Sequence, residues 1–148
     1  MKLFTKQEIL ALGIIFGILL VISIPNFALS IKRARDVTRK DDLFALELAL
    51  KAYEGEYREF PTSLELLSLK PLPNDPQWDR GISYLYLTNG HTFQLYGSLE
   101  LTDQDEYDEK VVSRNLACGI RICNFGRSYG NTPLDKSIEE YENELIEK

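Results

Sequence analysis

Residues 9–24 read ILALGIIFGILLVISI, and no charged side chain occurs between residues 9 and 31. A helix of these 23 residues would be about 35 Å long at about 1.5 Å per residue. The hydrocarbon core of a bilayer is about 30 Å thick. The sequence therefore predicts a membrane-spanning helix, followed by a polar domain of modest size.

A cleaved secretory signal is the alternative for this segment. Such signals have an apolar core of about 7–15 residues and a small-residue cleavage site. The apolar run here is longer, and residues 28–30, ALS, offer small residues for a cut but no A-x-A-like pattern. We therefore expect the helix to be retained.

The charges on either side of the helix bear on its orientation. Residues 1–8 carry a net charge of +1 and residues 32–40 a net charge of +4, so the positive-inside rule favours a cytoplasmic C-terminal flank. Long domains, however, cross membranes largely regardless of charge. A disulfide between Cys118 and Cys123, the chain's two cysteines, would persist outside the cytoplasm. We expect the N-terminus inside and the domain outside.

Several short segments match a known pattern in order and spacing. They are FTKQE at residues 4–8, IPNF at 24–27, RDVTRKDDL at 35–43 and FPTSL at 60–64. This arrangement resembles the N-terminal part of type IV pilins and type II secretion pseudopilins over roughly the first 65 residues. LPNDP at residues 72–76 resembles the loop that precedes the β-hairpin in that family.

The resemblance implies an α+β, pilin-like fold. Its long N-terminal helix would have a membrane half and an amphipathic half packed on a small antiparallel sheet, with a C-terminal helix. It implies a structural subunit that is stored in the cytoplasmic membrane and polymerised through that helix into an extracellular pilus-like or pseudopilus filament. The implied partners are further copies of the chain, membrane lipid before assembly, a prepilin peptidase and an inner-membrane assembly platform.

The resemblance also assigns residues to processing and assembly. They are Leu3 and Phe4 at the cleavage site, and Phe4, Thr5, Glu8, Gly17 and Pro25 in assembly. In the family, the peptidase cuts after a glycine and the new N-terminal residue is methylated. Leu3 stands where the family has that glycine, which leaves open a misassigned start, a divergent peptidase or an unprocessed chain.

The role of Glu8 has two interpretations. A carboxylate at the edge of a membrane helix is costly unless it is paired, and the family's glutamate pairs with the N-terminal amine of a neighbouring subunit. From the residues alone, a solvated carboxylate just outside the bilayer is the simpler interpretation. Further along, Gly17 is a poor helix former and Pro25 removes a backbone donor. Residues 17–25 are therefore predicted to be a weak, kinked part of the helix.

The predicted division of the chain is 1–31 for the leader and apolar helix, 32–60 for its amphipathic continuation and 61–148 for a globular head. The helix is expected to continue to about residue 59, where Pro61 follows. The apolar side chains that recur at helical spacing are Leu43, Leu46, Leu50, Tyr53 and Tyr57.

Four local predictions concern the head. A hairpin at residues 82–99 turns at Asn89-Gly90, a strong signal for a two-residue turn. A third strand is expected near Val111-Val112. Thr62 and Glu65 have the spacing of a capping box that opens a short helix. A final helix at residues 133–147 is expected to have Thr132 as its N-cap and Pro133 at its first position.

One hypothesis for the acidic segment at residues 102–109 is a calcium site, with Asp103, Asp105 and Asp108 as ligands. The segment has no glycine and lacks the D-x-[DN]-x-[DN]-G loop, so a solvated loop is the expectation. Two cysteines and the single histidine, His91, cannot complete a four-ligand zinc site. We expect no cofactor.

The composition disfavours two classes of function. A single histidine and the lack of a phosphate loop or nucleophile elbow argue against an enzyme. Residues 41–148 contain 10 basic and 21 acidic side chains, which disfavours direct nucleic-acid binding by the head. The leading hypothesis is the filament subunit. The alternative is a monomeric, single-pass anchored domain that acts as an extracytoplasmic sensor or adhesin head.

Overall fold

The computed structural model of the chain describes residues 5–147. Its helices are α1 (Lys6–Tyr57), α2 (Glu109–Ser113) and α3 (Ile138–Ile146), with single 3₁₀ turns at Leu64–Leu66 and Trp78–Arg80. Its strands are β1 (Leu85–Thr88), β2 (Phe93–Gly97), β3 (Ala117–Cys118), β4 (Arg121–Ile122) and β5 (Phe125–Ser128). The α+β class, the long N-terminal helix, the small antiparallel sheet and the C-terminal helix are thereby confirmed.

Contacts divide the chain into two compact units, Met1–Ala34 and Arg35–Lys148. The described part of the first unit is the N-terminal portion of α1. Between residues 9 and 31 its large apolar side chains are 36% to 73% exposed, so this unit has no core of its own. The second unit, here called the head, includes residues 35–57 of α1.

A three-stranded antiparallel sheet organises the head, in the order β1-β2-β5. The central strand β2 pairs with β1 on one side and with β5 on the other, and all five of its residues are buried. Gly97 pairs with Phe125, and a Cβ on Gly97 would lie 2.5 Å from the Phe125 ring. This position therefore requires glycine.

The two faces of β2 enter two different cores. Phe93 and Leu95 join the apolar side chains of α1, as expected from the predicted helical stripe. In that stripe Leu43, Leu46 and Leu50 are fully buried, and the other buried members of the cluster are Phe60, Leu67, Leu99 and Phe125. Because side chains alternate along a strand, Tyr96 points away from this cluster.

The second core contains the disulfide. Cys118 and Cys123 are bonded to each other, with their Cα atoms 5.1 Å apart, and both are fully buried together with Tyr96 and Val111. Strands β3 and β4 pair antiparallel at the base of the loop that this disulfide closes, with Ala117 opposite Ile122 and Cys118 opposite Arg121. The small second cluster is thus held by a covalent bond as well as by packing.

Two strand predictions are corrected. The hairpin turn is not a two-residue turn, because Thr88 pairs with Phe93 and four residues lie between them. The Asn89 side chain organises this loop by accepting hydrogen bonds from the backbone N–H groups of His91 and Thr92, both at 3.0 Å. The strand predicted near Val111-Val112 is the helix α2, whose N-cap Asp108 accepts from the Lys110 N–H. The third strand is β5.

Two helix starts are also corrected. The last helix begins at Ile138, with a capping box between Ser137 and Glu140. Residues 133–136 stay outside it because Gln94 Nε2 donates to the Pro133 and Lys136 carbonyls at 2.5 and 2.7 Å. The short helix predicted to open with a capping box of Thr62 and Glu65 is only the 3₁₀ turn Leu64–Leu66. Its N-cap is Ser63, whose side chain makes no cap hydrogen bond.

Candidate functional site

The described part of the first unit begins with a reciprocal cap on α1. Glu8 Oε2 accepts a hydrogen bond from the Thr5 backbone N–H at 2.7 Å, and Thr5 Oγ1 accepts from the Glu8 N–H at 3.4 Å. This is the capping box, in which two otherwise unpaired helix N–H groups are satisfied by side chains. Glu8 therefore has a local partner in its own chain.

The apolar stretch that follows is long and apolar enough to cross a membrane. No neighbouring atom lies within 4 Å of a Cβ placed on Gly13 or Gly17, so the described structure leaves this helix face open. α1 is one helix through Pro25. Just beyond it, Asn26 Nδ2 donates to the Ile22 carbonyl at 2.9 Å, and Ser30 Oγ donates to the Asn26 carbonyl at 2.8 Å.

A buried arginine lies at the start of the head. Arg39 is fully buried, and its guanidinium donates to acceptors on three separate segments of the head. Nε and Nη2 donate to the two carboxylate oxygens of Asp75 at 2.7 and 3.1 Å. Nη1 donates to Asp36 and Glu100, and Nη2 to Gln77. These five contacts match the five N–H donors of a guanidinium.

The Asp36 carboxylate is the second centre of this cluster. It is fully buried and accepts from the backbone N–H groups of Glu100 and Leu101, at 2.9 and 3.0 Å, and from Gln104 Nε2 at 2.7 Å. Arg35 forms a bidentate pair with Glu100 at 2.5 and 2.7 Å. One turn of α1 therefore holds both the proline-rich loop that contains Asp75 and the segment after β2.

The charges in this cluster shift two pKa values. Hydrogen bonds from Arg35, and then from Arg39, lower the pKa of Glu100 to about 2 despite its partial burial. Burial alone would lower the pKa of Arg39, but the hydrogen bonds that Arg39 donates to Asp75, Asp36 and Glu100 raise it. Both shifts favour the charged forms of these two side chains, Glu100 and Arg39.

A partly buried polar contact also joins α1 to the rest of the head. Tyr84 Oη donates to Asp42 Oδ2 at 2.6 Å. Burial raises the pKa of the Asp42 carboxyl, and burial together with the nearby carboxylate raises the pKa of Tyr84. This pair joins α1 to the segment that enters β1.

The sequence-predicted site residues fall into four groups. Leu3 and Phe4 lie outside the described residues. Thr5 and Glu8 are brought together by the capping box, whereas Gly17 and Pro25 lie in the exposed apolar stretch. The predicted disulfide of Cys118 and Cys123 is present.

Sequence reasoning missed the Arg39 cluster. A signal for it existed in Asp36 and Arg39, which stand one helical turn apart within a basic run, and in the single carboxylate of the 72–76 loop. The spacing did not reveal that these groups would be buried together.

Within residues 5–147, the structure has no group of three or more His, Cys, Asp or Glu side chains placed to hold a metal ion. Asp108 caps α2 instead, and Glu106 pairs with Lys40 at 3.0 Å. His91 is exposed beside the hairpin turn.

Arg39→Ala is expected to destabilise the head by about 3–5 kcal/mol, because it leaves buried carboxylates without their cation. The measurement is urea denaturation of the full chain in detergent micelles, followed by near-UV circular dichroism. The control is Lys51→Ala, which removes a half-exposed i,i+4 pair with Glu47 and should cost less than about 0.5 kcal/mol. Equal losses for the two variants would contradict a dominant role for Arg39.

Acid should weaken the head through Glu100. Since its folded pKa of about 2 lies below its unfolded value of about 4.3, its contribution is present above pH 4.3 and is lost as pH falls towards 2. The loss is up to about 3 kcal/mol. Glu100→Gln should be less stable at pH 7 and should show a flatter stability profile between pH 5 and 2. Parallel profiles for the two proteins would refute this assignment.

Comparison of the chain with protein-family models, with curated proteins and with solved structures finds no match.

Proposed function

We propose that this chain is a structural subunit of an extracellular filament of the type IV pilus or type II secretion pseudopilus kind. The observation that carries the proposal is the apolar N-terminal portion of α1, which has a carboxylate, Glu8, at its amino end and no core of its own. The α+β head with its small antiparallel sheet agrees with the pilin-like layout that the sequence resemblance implies. The proposed role is structural rather than enzymatic.

The exposed helix needs a partner for energetic reasons. Burying one Leu, Ile, Val or Phe side chain is worth about 1.5–3 kcal/mol, and the stretch from residue 9 to residue 31 leaves all of its large apolar side chains at least 36% exposed. Lipid covers this surface in the membrane. In the filament, copies of the same helix cover it. Because lipid is as apolar as leucine, the transfer gains little from hydrophobicity and depends on packing and polar pairing.

The capping box gives Glu8 a role in the single subunit as well as in the proposed filament. A glutamate and a glutamine both serve at this position of a capping box, but only the glutamate can pair electrostatically with the N-terminal amine of another copy. The two roles can therefore be separated by substitution.

Ion pairs between the basic residues that follow the apolar stretch and acids of the head bear on which side of the membrane the head lies. Residues 32–40 contain five basic side chains, and three of them are paired with acids of the head: Arg35, Arg39 and Lys40. Lys32 and Arg33 remain as the basic flank next to the apolar helix. A flank with only two remaining basic residues gives the positive-inside rule less weight. A head outside the cytoplasm is further supported by the length of the head and by the disulfide of Cys118 and Cys123.

Glu8→Gln and Glu8→Ala should both abolish filaments while leaving the chain in the membrane fraction, because each removes the charge that pairs with a neighbour's amine. The measurements are filament yield in sheared extracellular fractions and subunit abundance in membranes. Filaments from Glu8→Gln but not from Glu8→Ala would mean that helix capping is the only role of Glu8. Normal filaments from both would show that Glu8 is not needed for assembly, whereas the absence of filaments from the unsubstituted chain would favour a monomeric anchored domain.

Processing at Leu3 and Phe4 is tested by the mass of the protein in its native membrane and extracellular fractions. If a peptidase accepts Leu3, the filament form should lack residues 1–3 and carry a methyl group on the Phe4 amine. Leu3→Gly, which restores the family's residue, should then be processed at least as completely. Extracellular filaments built from chains that retain Met1 would contradict cleavage and would place the amine partner of Glu8 three residues further out.

A further inference from the structure

The head carries an exposed apolar surface beside its disulfide. We call it the tryptophan patch and define it by Trp78, Arg80, Ile120, Arg121 and Ile122. Trp78 is 68% exposed, Ile120 77% and Ile122 40%. Exposing large apolar side chains costs hydration free energy, and several of them in one region of a protein surface mark an interaction surface.

The backbone holds this patch together. The Ile120 N–H donates to the Gly81 carbonyl at 2.9 Å, and the Gly81 N–H donates to the Trp78 carbonyl at 3.0 Å. Gly119 forms a β-bridge with Ile82. The disulfide loop therefore lies against the turn that follows Trp78, and Ile120 is fixed in its exposed position by local structure.

A second exposed apolar surface lies at the end of α3. We call it the α3 patch and define it by Glu142, Leu145, Ile146 and Glu147. Ile138 anchors the first turn of α3 in the head, whereas Leu145 is 55% exposed and Ile146 82%. Residues 137–147 carry five glutamates. Lys136 pairs with one of them, Glu144, at 2.5 Å, so residues 136–147 have a net charge of −4, and a helix C-terminus adds partial negative charge.

The charges of the two patches are complementary. The tryptophan patch contributes Arg80 and Arg121, with Asp79 between Trp78 and Arg80, in a head that is otherwise strongly acidic. Two α3 patches placed face to face would bring glutamates together, which is unfavourable. An α3 patch against a tryptophan patch pairs apolar with apolar side chains and acidic with basic ones.

The positions of the patches determine the kind of assembly. The turn at Gly81 and Ile82 precedes β1, whereas α3 contacts the loop after β1, where Asn89 Nδ2 donates to Glu142 Oε1 at 2.5 Å. About seven residues of largely extended chain separate these points, a span of about 20 Å. Two different surfaces at separate places on one chain form a head-to-tail contact, which repeats into an open helical array when it does not close into a ring.

We propose that the tryptophan patch of one head binds the α3 patch of a second copy of this chain. This inference rests on the filament function proposed above and deepens it, because it names the head surfaces that meet between subunits. The α3 patch supplies Leu145 and Ile146 to the apolar surface, and its glutamates face the two arginines.

Cysteine cross-linking of the full chain in membranes and filaments tests this contact. Asp79→Cys combined with Asn143→Cys, two exposed positions that adjoin the patches without belonging to them and lie outside the native disulfide loop, should give a ladder of covalent multimers with a short bis-maleimide. Each single variant alone should give no ladder, and a mixture of the two should give dimers. Asp105→Cys combined with Asn143→Cys is the matched control, because Asp105 is exposed and lies in neither patch, and it should give at least tenfold less ladder.

Apolar truncation supplies the second measurement. In the cross-linking background, Trp78→Ala should reduce the ladder at least tenfold, whereas Leu48→Ala should leave it unchanged, because Leu48 is a similarly exposed apolar residue of α1 outside both patches. An unchanged ladder in Trp78→Ala would overturn the proposal.

The outcomes separate this inference from the filament function. Filaments without a ladder would overturn the head contact and leave the filament function standing. A ladder without filaments would support the head contact and contradict the filament function. Multimers from either single variant alone would indicate a symmetric contact and would overturn the head-to-tail arrangement.

Discussion

The head depends on one buried guanidinium. Arg39 and the carboxylates of Asp36, Asp75 and Glu100 join a turn of α1 to two segments that have no regular secondary structure. Removing charges from water costs several kcal/mol for each ion, and only complete hydrogen bonding compensates for this. Among the described residues, no buried side-chain polar atom lacks a partner. The cluster therefore fixes where the two loops lie, and the apolar core alone would not specify this.

α1 has two different surroundings along its length. From Arg35 onwards one face of α1 packs within the head, through the ionic cluster and the leucine stripe. Before residue 34 its apolar side chains are exposed. One part of α1 therefore buries apolar side chains within its own chain. The other part can bury them only against lipid or against other chains. That difference is the physical basis of the proposal for a membrane-stored filament subunit.

Predictions from sequence succeeded where a periodic pattern was sufficient. The spacing of Leu43, Leu46 and Leu50 predicted the buried face of α1, and the β-branched and aromatic runs predicted a hairpin. Predictions failed where a distant side chain competed for local groups. Gln94 occupies the carbonyls that a helix starting at Pro133 would have used, and burial of Val111 against the disulfide favours a helix turn where composition indicated a strand. Such competition depends on tertiary contacts that no local window contains.

In the proposed filament, the helix and the head would contribute different things. Exchanging lipid for like helices gives little net hydrophobic gain and little directional information, since the apolar surface of the stretch from residue 9 to residue 31 is nearly continuous. A head contact between Trp78 and Ile146 would be small and weak by itself. Once the helices hold two heads close together, however, the second contact forms at a high effective concentration. A weak but directional contact is then sufficient to select one register among the many that the helices would otherwise allow.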